Sequence, residues 1–147
     1  MTRRLRWLLV IPGAWAAWSL ALVTGIAVHS GLERLCPREQ MISGVCTAAW
    51  FGYAERVVIC SGAGLAATLI LVTCACIAPS HRPQVVAMTF VVGSLAALIM
   101  GALAHAYAEL FTALAVGSLV AVWLLKSPWV RSPPQPRPER ASLPEAP

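Results

Sequence analysis

A histidine and a carboxylate interrupt a long apolar stretch of the sequence. From Gly93 to Leu110 the chain reads GSLAALIMGALAHAYAEL, in which His105 and Glu109 stand four residues apart. That spacing places two side chains on one face of a helix or brackets a short turn. An imidazole and a carboxylate together suit a proton relay or a metal ion such as zinc.

A second histidine has a matching position in the first apolar segment. His29 follows Gly25 by four residues, as His105 follows Gly101. If the two segments cross a membrane in the same direction, both histidines lie at similar depth near one surface. The predicted polar layer at this surface consists of His29, Glu55, Arg56, His105 and Glu109.

Three interpretations of this layer remain open from the sequence, because ionisable groups in or near a membrane are functional candidates. In the first, the side chains are interfacial, hydrogen-bonded and hydrated. In the second, they form a metal or proton-handling site from His29, His105 and Glu109, with Glu55 as a further ligand. In the third, His29 and His105 hold a b-type haem from two helices. No cofactor is required by the sequence.

Two cysteines lie close together between the first two apolar segments. Cys36 and Cys46 occur in LCPREQMISGVC, and thiols outside the cytoplasm meet an oxidising compartment. We expect a structural disulfide that stabilises the loop by roughly 2–3 kcal/mol. A redox-active pair is the alternative, although the spacing is not C-x-x-C. Cys60, Cys74 and Cys76 are expected to behave as small apolar residues.

The composition is typical of a chain whose solvent is lipid. Of the 147 residues, 59% are hydrophobic and only 12% are charged, against about 25% in soluble domains. The net charge of +5 is divided between clusters that flank apolar segments, and no basic stripe with interleaved aromatic residues is present. We therefore do not expect nucleic acid as a partner.

Four apolar segments are each long enough to cross a bilayer, which takes about 20 helical residues. They predict an all-α integral membrane protein with helices at about 7–28, 57–78, 85–104 and 106–125. Residues 85–125 cannot form one helix, because it would measure about 60 Å, so the chain should reverse at AHAYAE. Small residues every four positions, such as Gly13, Ala17, Ala21 and Gly25, favour a compact bundle.

The distribution of Lys and Arg predicts the orientation. Eight of these residues lie at the N-terminus, in the PSHRPQ loop or in the C-terminal segment, and three lie on the opposite side. Both termini should be cytoplasmic, and residues 29–56 should form an outer loop. Residues 127–147 are rich in proline and charge and should form a disordered tail. We expect the first segment to be a spanning helix that is not cleaved as a signal peptide.

No soluble catalytic motif is present, so an enzyme is not the leading expectation. Many packing signals and few chemical ones predict a small multi-pass protein with a structural or accessory role. Its partners would be the lipid bilayer and either a second copy or a larger membrane complex. The alternative is a redox or metal-handling membrane protein that uses the outer His/Glu layer and the loop cysteines. Abundant Ala, Arg and Pro with one Lys favour a GC-rich bacterial genome, so the expected location is the bacterial inner membrane.

Overall fold

The computed structural model describes residues 3–131, which are mostly helical. Its helices are α1 (Arg3–Leu8), α2 (Val10–Arg34), α3 (Phe51–Ile77), α4 (Arg82–Leu103), α5 (Tyr107–Lys126) and α6 (Pro128–Arg131). Four of them, α2 to α5, are long and apolar enough to span a membrane. This confirms the prediction of four such helices from the apolar segments.

A proline explains the short interruption between α1 and α2. Pro12 has no N–H, so the carbonyl of Leu8 loses its usual helical partner four residues later. The helix is irregular at Leu9, whose own N–H donates to the carbonyls of Leu5 and Arg6 at 3.2 Å. The regular pattern resumes at once, because the N–H of Gly13 donates to Leu9 at 2.9 Å.

The connection between α2 and α3 is shorter than the predicted outer loop of residues 29–56. Helix α2 continues through Arg34, and α3 begins at Phe51, so only residues 35–50 lie between them. The apolar residues end before the helix does, since a polar turn of helix is stable until a helix-breaking residue follows. Here the breaker is Pro37, which disfavours helical backbone at the preceding residue.

Residues 35–50 form a small cross-linked lobe. Strands β1 (Met41–Ile42) and β2 (Val45–Cys46) pair in antiparallel register, with Met41 opposite Cys46. Both turn residues, Ser43 and Gly44, have positive φ (52° and 85°), as a tight two-residue hairpin requires. The disulfide between Cys36 and Cys46 then joins the hairpin to the end of α2.

The reversal between α4 and α5 lies within AHAYAE, where the sequence analysis expected it. Helix α4 ends at Leu103 and α5 begins at Tyr107. His105 stands in the turn with φ of 54°, in the left-handed region. The N–H of Ala106 donates to the carbonyl of Gly101 at 3.0 Å, which closes the end of α4.

Helix α3 is the centre of the arrangement, because it contacts α2, α4 and α5. Helix α2 makes its extensive contacts with α3 and far fewer with α4 or α5. The small-residue spacing predicts a compact four-helix bundle. In the structure α3, α4 and α5 pack against one another, and α2 lies along one side of α3. We call the end with the Cys36–Cys46 lobe the disulfide end, and the opposite end the terminal end.

The best-packed core lies at the terminal end. Its buried members are Leu71, Ala75, Val86, Ala121, Leu124 and Val130. Arg82 links α4 to α6 at this end. Its Nη1 donates to the carbonyl of Trp129 at 3.0 Å, and its guanidinium lies 5.6 Å from the centre of that indole ring. Residues 128–131 of the predicted tail are thus helical and packed, whereas residues 132–147 lie outside the described range.

Candidate functional site

A groove between α2 and α3 brings together three of the predicted polar residues. We call it the charged groove. His29 of α2, Glu55 of α3 and Glu109 of α5 line its disulfide end. The rest of its lining is Trp18, Ala21, Leu22, Gly25, Ile26, Val58, Ile59, Gly62, Ala63 and Ala66.

The two main walls of the charged groove follow the same helical period. On α2 the lining residues run from Trp18 to His29, and on α3 they run from Glu55 to Ala66. Within each wall the positions are i, i+3, i+4, i+7, i+8 and i+11, which form one face of a helix. The strict four-residue row predicted from the small residues winds around the helix and does not include Trp18 or Leu22.

Small residues keep this groove open rather than closing it. A Cβ added to Gly25 or to Gly62 would meet nothing within 4 Å. By contrast, a Cβ on Gly13 would clash with Cδ1 of Ile77, and Ala17 and Ala21 are buried. Helices α2 and α3 are therefore in close contact near Gly13 and leave space beside Gly25 and Gly62. They meet again where Leu32 packs against Phe51.

The charged groove has a volume of about 510 Å³, and its walls are almost wholly apolar. Glu55 and Glu109 are half-buried at its disulfide end. Within residues 3–131, neither carboxylate accepts a hydrogen bond or forms an ion pair. Two acceptors without protein partners beside an apolar surface can bind a cation.

His29 is held differently from the two glutamates. Its Nε2 lies 3.5 Å from a carboxylate oxygen of Glu33, one turn further along α2. Its ring centre lies 6.1 Å from that of Phe51. Phe51 is buried with Cys46 and Ala48 under the disulfide lobe. The lobe thus braces the helix turn that carries His29.

The structure does not bring the whole predicted layer into the charged groove. His105 lies in the exposed α4–α5 turn, with its Nδ1 3.5 Å from the hydroxyl of Tyr107. Arg56 is exposed and does not line the groove. In residues 3–131, no group of three or more His, Cys or Glu side chains is arranged to hold a metal ion.

The loop cysteines form the expected covalent link. The sulfur atoms of Cys36 and Cys46 are 2.00 Å apart, and the two Cα atoms are 6.0 Å apart. Cys46 is buried, and Cys36 packs against the same small apolar cluster. Cys60, Cys74 and Cys76 have free thiols on α3. The disulfide encloses the loop and fixes its position on α2.

A second groove, which we call the neutral groove, lies between α3, α4 and α5. Its volume is about 370 Å³, and no charged residue lines it. Small residues from all three helices line it: Ala63, Ala66, Ala67, Gly93, Ala96, Ala97, Ala113 and Gly117. Trp18, with 44% of its side chain exposed, also lines it and so lies between the two grooves. A Cβ added to Gly93 would meet nothing within 4 Å.

No family model, curated protein or solved structure matches this chain. The molecule has two grooves of different chemical character: a neutral groove lined by small residues, and a charged groove with two carboxylates at its disulfide end.

Proposed function

We propose that this protein is a small multi-pass membrane protein with a structural or accessory role in a larger membrane complex. Only 11–22% of the apolar stretch of each long helix is buried inside the protein, although these stretches are strongly apolar. Large side chains such as Trp15 (65% exposed) and Leu119 (72% exposed) face outward. In water such a surface would be very unfavourable, whereas lipid or a neighbouring helix covers it without cost.

Hydroxyl groups along the long helices support placement in lipid. Thr24, Thr68, Thr112 and Ser118 each direct a hydroxyl to the carbonyl four residues earlier, at 2.6–2.9 Å. Each of the four hydroxyl groups therefore has a hydrogen-bond acceptor even in hydrocarbon. The helices can therefore carry these polar residues at little cost.

The charge distribution supports an orientation with both termini in the cytoplasm. The terminal end contains six basic residues and no carboxylate among residues 3–131. These are Arg3, Arg4, Arg6, Arg82, Lys126 and Arg131. The disulfide end contains four glutamates and three arginines. Positive charge is retained in the cytoplasm, and a disulfide forms outside it. A bacterial inner membrane fits both preferences.

The observation that carries the accessory role is the neutral groove. Small residues along a helix normally allow a second backbone to approach closely. Here Gly93 and Ala97 line a gap that the protein's own helices leave unfilled. The absence of charge in this lining favours an apolar transmembrane helix of a larger complex as its occupant. A second copy of this chain is the competing occupant.

Native mass spectrometry after gentle extraction from the native membrane tests this proposal. We expect a stoichiometric second polypeptide that is lost in Gly93→Leu and retained in the matched variant Gly31→Leu. Both glycines have open space at the Cβ position, but only Gly93 lines the neutral groove. A homo-oligomer that is sensitive to Gly93→Leu would identify a second copy as the occupant. A bare monomer would contradict the proposal, and a haem, quinone or metal mass would support the redox or metal-handling alternative.

A further inference from the structure

We propose that the charged groove is a binding site for an amphiphilic cation, a molecule with a hydrocarbon body and an amine head. This inference does not depend on the accessory role, because it is based on the carboxylate end of the charged groove, which the neutral groove does not share. It is based on two features of one surface: a long apolar trough and a pair of carboxylates at one end of it.

The trough has the dimensions of a small-molecule site. Its walls extend over eleven residue steps on α2 and on α3, which corresponds to about 16 Å along a helix. Its volume of about 510 Å³ falls within the usual range of ligand sites, about 300–1,000 Å³. A slender alkyl or aryl body fits a trough of this volume, and the charge at one end of the trough specifies the head group.

The head group is specified by charge. Glu55 and Glu109 have no protein partner within residues 3–131, and both line the disulfide end of the trough. A primary ammonium group has three N–H donors, enough for both carboxylates. An anionic head would be repelled at the same place. The arginines nearest in sequence, Arg34 and Arg56, are exposed and do not line the groove.

The position of the carboxylates fits an amphiphile that enters from lipid. Glu55 lies one turn into α3 and Glu109 lies in the first turn of α5, so both are at the end of their helices. An amine held there remains near the membrane surface, while its body extends to Trp18, about a third of the way along α2 from Val10. The apolar ring of Trp18 lines the deep end of the trough.

Titration with dodecylamine, followed by native mass spectrometry of the full chain in detergent, tests the proposal. We expect one saturable adduct on the wild-type protein. Dodecanol and dodecyl sulfate, which share the alkyl chain, should bind at least about tenfold more weakly. The double variant Glu55→Gln/Glu109→Gln keeps the side-chain volumes and should weaken dodecylamine binding by at least about tenfold.

Two further sets of variants separate groove filling from general damage. Gly25→Leu and Gly62→Leu place a side chain into the trough from opposite walls, and each should abolish the adduct. Gly31→Leu and Glu39→Gln lie outside the groove and should bind dodecylamine as the wild type does. Intact disulfide mass and thermal unfolding check that each variant is folded. Equal binding of dodecyl sulfate, or dodecylamine binding that survives both leucine variants, would overturn the proposal.

Discussion

Glu55 of α3 and Glu109 of α5 belong to different helices, yet both line the disulfide end of the charged groove. Neither has a hydrogen-bond or ion-pair partner within residues 3–131, in contrast to Glu33, which lies 3.5 Å from His29. Two like charges at one end of an apolar groove repel each other, and no protein cation compensates either of them within residues 3–131. A bound cation would compensate both charges.

This relationship predicts an unusual effect on stability. Glu55→Gln should leave the thermal unfolding temperature of the ligand-free protein unchanged, or raise it by the equivalent of up to about 1 kcal/mol, because the change removes repulsion without breaking a contact. Glu109→Gln should give a lower unfolding temperature than Glu55→Gln, because Glu109 lies in the first turn of α5, where a carboxylate interacts favourably with the helix dipole. Tryptophan fluorescence during heating in detergent measures the effect. A clear loss of stability in both variants would mean that the carboxylates have structural partners after all.

Two glycines on α4 provide a matched test of helix packing. A Cβ on Gly101 would lie 3.0 Å from Cβ of Leu110, whereas a Cβ on Gly93 would meet nothing within 4 Å. Gly101→Leu should push α4 and α5 apart at their connection and cost about 2–3 kcal/mol. Gly93→Leu should not destabilise the fold, since it fills open space and improves helix propensity. Equal unfolding temperatures for the two variants would contradict this packing.

The sequence predicts the positions of the long helices in this fold better than it predicts their ends. Hydropathy and length suffice for the four long helices, and the length limit alone places a reversal near His105. Helix ends are not predictable in the same way. Helix α2 continues past Val28 to Arg34, where polar residues keep helical backbone until Pro37 intervenes. Hydropathy contains no information about such extensions.

The candidate site was predictable only in part. The sequence indicates that His29, Glu55 and Glu109 lie at similar depth, because their distances from helix ends are similar. It does not indicate that α2 and α3 leave space beside Gly25 and Gly62, which is what opens the charged groove. It also groups His105 with them, although that residue lies in an exposed turn. Lateral position in a bundle depends on tertiary packing, which small-residue spacing leaves undetermined.

The disulfide predicts a defined pattern of thiol reactivity. In the denatured, unreduced protein, an alkylating reagent should modify Cys60, Cys74 and Cys76 only, and reduction should expose Cys36 and Cys46 as well. The variant Cys36→Ser should be less stable by about 2–3 kcal/mol and its loop more sensitive to protease. Cys60→Ser serves as the control. Alkylation of five thiols without reductant would show that the link is absent in the cell.

The terminal end should depend on Arg82. Its guanidinium donates to the carbonyls of Ala78 and Trp129, at 3.4 and 3.0 Å, and lies over the Trp129 ring. Arg82→Gln should lower the free energy of unfolding by about 1–2 kcal/mol, and Arg82→Lys should recover only part of this loss. Arg56→Gln, at an exposed position, should have little effect. A wild-type unfolding temperature for Arg82→Gln would show that α6 is held without the Arg82 contacts.

Membrane orientation can be tested through the single lysine of the sequence. Lys126 is exposed at the terminal end, so a membrane-impermeant amine reagent should not label it in intact cells. Permeabilised cells should show labelling of the same residue. The variant Glu39→Lys adds an exposed amine in the disulfide lobe and should be labelled without permeabilisation. Peptide mapping distinguishes these sites from the N-terminal amine. Labelling of Lys126, and not of the new lysine, in intact cells would place the disulfide end in the cytoplasm and reverse the orientation proposed for this protein.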